Sequence, residues 1–266
     1  MLDNLTIQEV TLLVVGILLL LSFITAMISL FLETDRTRQW YGDWFQGVST
    51  EMVGAAVTTI FFTFIVGAAE QRQEALTLQT GLIQQMGSVV NTEALRAVEE
   101  LRDNGWLRDG TLQGHEFYST NLADVFLPGA DITGSIFFDA NFENAELVGS
   151  DFTGANLQGV NFTNTRARDV IFRGATFNAA NLLDADLRGA DLRGANLADA
   201  NLRGVLLETT IFDETTILPD ADFDSETGAF TPNWQPDTDM SRFTDASHSD
   251  FWQPIEPYPW WFDIDS

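Results

Sequence analysis

Ten carboxylate or carboxamide residues stand at positions whose spacings are multiples of five: Asp131, Asn141, Asp151, Asn156, Asn161, Asn181, Asp186, Asp191, Asn196 and Asn201. Two uses fit such a series. The oxygens could ligate a hard cation such as calcium, or they could bond the local backbone and form ladders between stacked repeats. A second set is basic. Arg168 and Arg188 are 20 residues apart, as are Arg173 and Arg193. If the chain returns on itself every 20 residues, each pair shares a face. The arginines are then either ion-paired between coils, with Asp184, Asp199 and Asp213 as the nearby acids, or they form a strip that contacts an anion or a protein. Ion pairing of this kind is worth ~0–1 kcal/mol per pair. His115 and His248 lie in different regions, and no His/carboxylate spacing fits zinc. There is no cysteine, which removes disulfides and thiol chemistry. Neither a phosphate-cradling glycine loop nor a nucleophile motif is present. The expectation is a chain without catalytic, cofactor or metal residues.

A five-residue period positions these groups. Every fifth residue from Leu112 to Ile217 is Leu, Ile or Phe, except Ala167. Two residues before each stands a second set, mostly small: Ala130, Ser135, Ala140, Ala145, Ser150, Ala155, then Ala175, Ala180, Ala185, Ala190, Ala195 and Ala200. A strict period of five matches neither a helix nor a flat strand. It needs a backbone that turns a corner every five residues, with one large and one small side chain inward on each side. Four sides make a coil of about 20 residues, and stacked coils make a solenoid. Leu112 to Ile217 is about five coils, a rod ~25 Å long at ~4.8 Å per coil. Ala167 predicts a local indentation or shifted coil near Arg166 to Asp169.

At these residues, cleanest in ADLRGADLRGANLADANLRG, which ends at Gly204 and includes Gly189, the chain resembles the pentapeptide-repeat family, whose repeat reads A-(D/N)-L-x-x. The resemblance implies the family's right-handed quadrilateral β-helix. It also implies that Asp or Asn before the central Leu serves the backbone and not a metal. It names no activity, since the family is defined by its repeat.

Upstream, Val10 to Leu32 is uncharged over 23 residues, enough to cross ~30 Å of hydrocarbon as a helix. The acidic residues before it and the lack of a cleavage site argue against a signal peptide. Met52 to Ala69 is a second uncharged run, rich in Thr and Gly. Together they predict a two-helix transmembrane hairpin over residues 1–69, with spans at about 10–32 and 50–69. Trp40, Tyr41, Trp44 and Phe45 lie between them, as an interfacial aromatic belt or a ligand-binding patch. Residues 70–108 read as a helical linker and N-terminal cap. Ala75, Leu78, Leu82 and Met86 share one helical face. A second helix over Thr92 to Asp103 has Asn91 as its N-cap and Asn104-Gly105 as its stop. That helix and Trp106-Leu107 are placed to cover the first coil. The repeat domain spans 109–218.

Residues 219–266 hold six of the seven prolines with their neighbours at 218–266, and four of the seven tryptophans. Trp234, Phe243, Phe251, Trp252, Trp260 and Trp261 are too apolar for a solvated tail. The segment is an irregular cap on the last coil or a docking peptide. It also resembles a trailer common after such repeats in bacterial relatives, as the linker resembles one before them.

The formal charge of −26 divides as −7 in residues 1–109 (13 acids, 6 Arg), −9 in 110–217 (15 and 6) and −10 in 218–266 (11 and 1). No region is basic, which excludes ordinary phosphate-backbone binding to nucleic acid. The functional expectation is a non-enzymatic scaffold, anchored in the plasma membrane, with its repeat domain in the cytoplasm, presenting flat faces to other proteins or to a larger membrane complex. The candidate contact residues are Arg168, Arg173, Arg188, Arg193, Trp234, Trp252, Trp260 and Trp261. The alternative, which the resemblance alone raises, is an acidic DNA mimic acting on a protein such as gyrase.

Overall fold

The computed structural model describes residues 16–17, 20–21, 23–24, 36–225 and 227–253. The elements are α1 (Arg36–Met86), α2 (Asn91–Asp103), a two-stranded antiparallel hairpin of β1 (Phe223–Asp224) and β2 (Ala229–Phe230), and α3 (Ser241–Thr244). The chain divides into two compact units, Met1–Leu78 and Gln79–Ser266.

The stretch Thr50–Met86 of α1, which runs from the first unit into the second, contains a window long and apolar enough to cross a membrane. The first expected span, 10–32, lies outside the described residues except for six helical positions, among which Ile17, Leu20, Leu21, Phe23 and Ile24 are exposed. The segment expected to link the two spans is helical from Arg36 onward and continues unbroken into the second. Of its aromatic cluster, Trp44 is exposed, and the side chains of Trp40, Tyr41 and Phe45 lie outside the described set.

The second unit is a parallel β-helix. From Glu116↔Ile136 to Asp191↔Ile211, each bridge joins residues 20 apart in parallel, so four pentapeptides close one coil. The corner is a turn. In residues 137–140, for instance, Ala140 N donates to Phe137 O at 3.0 Å, and the residue between, Asp139, has φ 57°. Positive φ at the third residue of a turn favours Gly, Asn or Asp, and those types fill most such positions here. The next coil supplies the remaining partners: Phe137 N donates to Asn156 O and Asn156 N to Ser135 O.

The central residues from Leu112 to Leu202 are buried, Ala167 included. Phenylalanines one coil apart pack face to face or tilted. The centroids are 4.8 Å apart for Phe117 and Phe137, and 5.2 Å for Phe142 and Phe162. Hydroxyls at the small inward positions are satisfied across coils. Ser135, Ser150 and Thr165 donate to the carbonyls of Leu112, Leu127 and Phe142, which removes the cost of a buried unpaired hydroxyl.

The expected irregularity at Ala167 is absent. Ala167 N donates to Asp186 O at 2.9 Å, and Arg166 bridges both Glu146 and Asp186 in register. The other three central residues of that coil are Phe162, Phe172 and Phe177, with ring centroids 5.0–6.2 Å apart. Three large rings fill the space the alanine leaves, a volume-conserving exchange within one layer. The real slip lies between Phe212 and Leu218. Asn196 bridges Ile217, 21 residues on. Thr216 and Leu218 therefore face inward, and Ile217 does not take the central position that the period assigned to it. The extra residue is held by Asp213, whose Oδ1 accepts from the amides of Gly194 and Thr215 and from the Thr215 hydroxyl.

At the N-terminal end, Leu82 and Met86 from α1, Ala94, Ala97, Val98 and Leu101 from α2, and Leu107 join the core, with Trp106 packed against it. Leu78, placed on the same apolar stripe by sequence, is exposed. Asn91 does not cap α2. The cap residue is Val90, whose amide bonds Ser88 Oγ, while Ser88 Oγ donates to Glu93. The Asn91 amide instead donates to the carbonyls of Asn121 and Ala123 on the first coil. There it satisfies edge acceptors that would otherwise stay open.

Candidate interaction faces of the repeat domain

The Asp/Asn series is consumed by the backbone. In all ten positions Oδ1 accepts from the amide two residues on, from Thr133 N to Asp131 through Arg203 N to Asn201. These are Asx turns. On one face the carboxamides also form a ladder. Asn141, Asn161, Asn181 and Asn201 each donate Nδ2 to Oδ1 of the Asn 20 residues earlier, at 3.3, 3.0, 3.4 and 2.9 Å.

The four arginines are brought together as two clusters on neighbouring sides of the coils. Asp186 lies between Arg168 (2.5 Å) and Arg188 (2.8 Å). Asp191 lies between Arg173 (2.6 Å) and Arg193 (2.7 Å). The ion pairs are thus made with Asp186 and Asp191 and not with the expected acids, of which Asp213 acts on Arg193 through its field. Asp186 and Asp191 precede their arginines by two residues, so both side chains leave the same side of the coil, and the arginine of the preceding coil reaches over. The arginine pairs depress the Asp191 carboxyl well below the usual carboxylate range, chiefly through its bond to Arg193, and Asp191 raises Arg193 in turn. The repeated Asp-Leu-Arg at 186–188 and 191–193 is the sequence signal for this pairing. Each arginine side chain keeps between 37% and 53% of its surface exposed, so the clusters remain open to a partner. Asp169, at a corner of the preceding coil, stands against Gly189.

The tryptophans of the C-terminal segment divide. Trp234 stacks on Phe212, with centroids 6.0 Å apart at 19°. Trp252 packs 6.2 Å from Phe243, a fully buried member of the core. Trp260 and Trp261 lie outside the described residues. The coil edge is met by backbone as well: Gly204 N donates to Thr244 O. Arg242 pairs with Asp220 at 2.6 Å and His248 with Asp239 at 3.2 Å. Phe243, which the sequence marks with the tryptophans as too apolar for a solvated tail, is buried in the core; its partners there could not be read, since nothing in its neighbourhood repeats.

Residues 135–217 match the family described as pentapeptide repeat region. No curated protein matches the chain. Among solved structures it is similar to a pentapeptide repeat protein of the cyanobacterium Cyanothece 51142, at 27% identity over 39% of this chain and 90% of that one, TM-score 0.29. It is also similar to a pentapeptide repeat protein of Nostoc Pcc 7120, at 30% identity over 50% and 91%, TM-score 0.18. QnrB1, a plasmid-mediated fluoroquinolone resistance protein, matches at 18% identity over 40% and 64%, TM-score 0.28. With coils that close every 20 residues on the same repeat that the family match covers, residues 135–217 are a pentapeptide repeat region.

Proposed function

We propose that this protein is a membrane-anchored, non-enzymatic interaction module. One observation supports the anchor above others. Val53, Val57, Ile60, Phe61, Phe62, Phe64, Ile65 and Val66 are all exposed on α1, and these positions run around the helix and not along one stripe. A helix apolar on every side belongs in a protein core or in lipid, and the apolar window of this helix is only 6% buried. Thr58, Thr59 and Thr63 donate their hydroxyls to carbonyls four residues back, which leaves no unsatisfied donor toward hydrocarbon. The finer reading is a hairpin with its first span at 10–32, a plasma-membrane location and a cytoplasmic repeat domain of right-handed, quadrilateral form.

The interaction role follows from what the repeat domain spends its residues on. Inward positions are packing, apolar except for hydroxyls bonded to carbonyls of the preceding coil, and the series of polar groups is occupied by the backbone. The outer sides are broad surfaces of the kind that suit protein contact better than a small substrate. Residues 219–253 serve as the C-terminal cap in this reading. Mimicry of an acidic duplex draws no support from the two sides that carry the arginine clusters. The test is alkaline carbonate extraction of membranes from cells expressing the full chain. The protein should stay in the pellet and leave it with detergent; recovery in the carbonate supernatant would end the anchored reading.

A further inference from the structure

All six arginines of the repeat lie between residues 166 and 203, among five acids, whereas residues 110–165 hold seven acids and no arginine. One side of the coils collects half of them. Its bridging column runs Phe126, Glu146, Arg166, Asp186, Leu206, and the residues two positions on are Pro128, Val148, Arg168, Arg188 and Glu208. The N-terminal cap adds two more cations: Arg102 lies 5.5 Å over the Phe126 ring, and Arg108 donates to the Pro128 carbonyl at 3.2 Å. The acids of this side are Glu146, bonded to Arg166, Asp186, held between Arg168 and Arg188, Asp169 at the corner, and Glu208 at the C-terminal end. Asp103 and Asp109 neighbour the cap arginines in sequence. The opposite side of the coils holds Glu116, Asp139 and Asp199 and no arginine.

Both ends of the arginine side are apolar and open, with Phe126 51% and Leu206 41% exposed. Arginine framed by aromatic and aliphatic groups is the composition of interface centres. The C-terminal segment comes to the Leu206 end. Gly204, at the corner two residues before Leu206, donates its amide to Thr244 O, and Trp252 N donates to Arg242 O. Residues 254–266 follow, reading PIEPYPWWFDIDS. They hold three acids, Glu256, Asp263 and Asp265, no base, and four aromatic rings. Thirteen residues reach at most ~43 Å. Leu206 stands two coils from Arg166, a separation of ~10 Å.

We propose that residues 254–266 fold back along this side of their own chain as a strap. A segment with three acids and no base is repelled by most of a chain of net charge −26, and the repulsion is weakest where the arginines stand. Trp260 and Trp261 cover Leu206 and stack on the Arg188 guanidinium. Asp263 and Asp265 reach Arg168 and Arg166, whose side chains keep 50% and 73% of their surface exposed and so retain donors for a second carboxylate. Pro254, Pro257 and Pro259 stiffen the entry in an extended form, which lowers the entropy lost on docking. An outside partner that recognises the arginine side must displace the strap first. Strap and side both belong to the unit Gln79–Ser266, so the inference goes beyond the anchored reading and does not depend on it.

The chain has no cysteine, so two introduced thiols report one contact. In the dilute, detergent-solubilised full chain, Val148→Cys with Asp265→Cys should close an intramolecular disulfide several times faster than Gln158→Cys with Asp265→Cys, whose first thiol stands on the opposite side. Chymotrypsin cleavage after Trp260, Trp261 and Phe262 should be slower in the parent than in a free peptide of residues 254–266. It should quicken about fivefold in Arg166→Gln combined with Arg168→Gln, and in the parent as salt is added, because the contact is ionic. The thiol and salt measurements replace no arginine, so they decide the matter even where the glutamine variant is destabilised. Four results would overturn the proposal. Equal disulfide from 148 and 158 shows a segment with no preferred side. Parent cleavage as fast as that of the free peptide at low salt shows the arginine side uncovered. A disulfide that links two chains and fades on dilution shows the side taking another copy's segment. Slow cleavage that neither salt nor the arginine replacements change shows the segment held elsewhere.

Discussion

The carboxylate of Asp169 occupies the space that a β-carbon on Gly189, one coil on, would need; such a carbon would collide with Asp169 Oδ1. Gly189 also has φ 74°. Two costs thus meet at one position, backbone strain and displacement of a charged group. Gly134, φ 68°, occupies another corner with nothing within 4 Å of its would-be β-carbon. Gly134→Ala should cost the strain alone, ~1–2 kcal/mol, and Gly189→Ala should cost more. Asp169→Gly combined with Gly189→Ala should bring the second cost back to the first. Chemical denaturation of the four variants checks this as a double-mutant cycle; an additive outcome means that the contact is unimportant.

Ala179 sits at a corner with φ 55° and Thr209 at another with φ 62°. The Thr209 hydroxyl donates to the carbonyl of Glu208, whereas the Ala179 methyl can make no local hydrogen bond of the kind that lets Asn and Asp tolerate the left-handed region. Ala179→Gly should therefore raise stability by about 1 kcal/mol, since relief of strain outweighs the extra freedom that glycine brings to the unfolded chain. Thermal melts of parent and variant decide it. A lower melting temperature for Ala179→Gly would show that the alanine methyl contributes packing that exceeds the strain.

Where the repeat is regular, the sequence reports the fold directly, because inward and outward positions alternate on a fixed count of five. It fails where one residue's consequence depends on others in its layer. Ala167 reads as a defect along the chain, but the rings of Phe162, Phe172 and Phe177 fill that layer in space. Ile217 fits the count, yet an extra residue held by Asp213 turns Leu218 inward instead. The arginine columns were legible from the 20-residue spacing. Their carboxylates were not, because proximity in sequence was weighed where the common exit direction of Asp186 and Arg188 decides. Asn91 has the right type for a helix cap, but bonds a coil edge 30 residues away. Long-range partners of this sort leave no local periodicity to read.

The arginine clusters predict an ordering of losses. Leu192 is fully buried, and Leu192→Ala should cost ~2–5 kcal/mol. Asp191, with 10% of its side chain exposed, holds two arginines and the Arg193 amide. Asp191→Ala should cost ~1–3 kcal/mol, as for a buried acceptor whose donors lose their partner. Arg188→Ala removes one of two cations from Asp186 and should cost under ~1 kcal/mol. The Asp191 carboxyl is depressed, so its contribution is complete above the ordinary carboxylate range and fades as the pH falls below it. The gap between parent and Asp191→Ala should accordingly narrow in strong acid. Equal losses at Leu192 and Arg188 in denaturation at neutral pH would contradict the burial on which the ordering stands.

Asp139 gives the opposite pH dependence. It occupies a corner at φ 57°, and its buried Oδ1 has no hydrogen-bond partner. Burial without compensation pushes its carboxyl up to about 6. A folded-state value above the unfolded one means that the folded protein binds the proton more tightly. The destabilisation from the buried charge is therefore complete above about pH 6. It shrinks as the pH falls toward the ordinary carboxylate range, where both states are protonated. Asp139→Asn keeps the shape and a residue that tolerates positive φ, and removes the charge. The substitution should raise the melting temperature of the solubilised full chain at pH ~8, and the gain over the parent should decline steadily between pH ~6 and pH ~4. Taking the difference between variant and parent at each pH cancels the titration of the other acids. A gain that is the same at both ends of that range would mean that the Asp139 carboxylate is solvated in the folded protein and that its desolvation plays no part in stability.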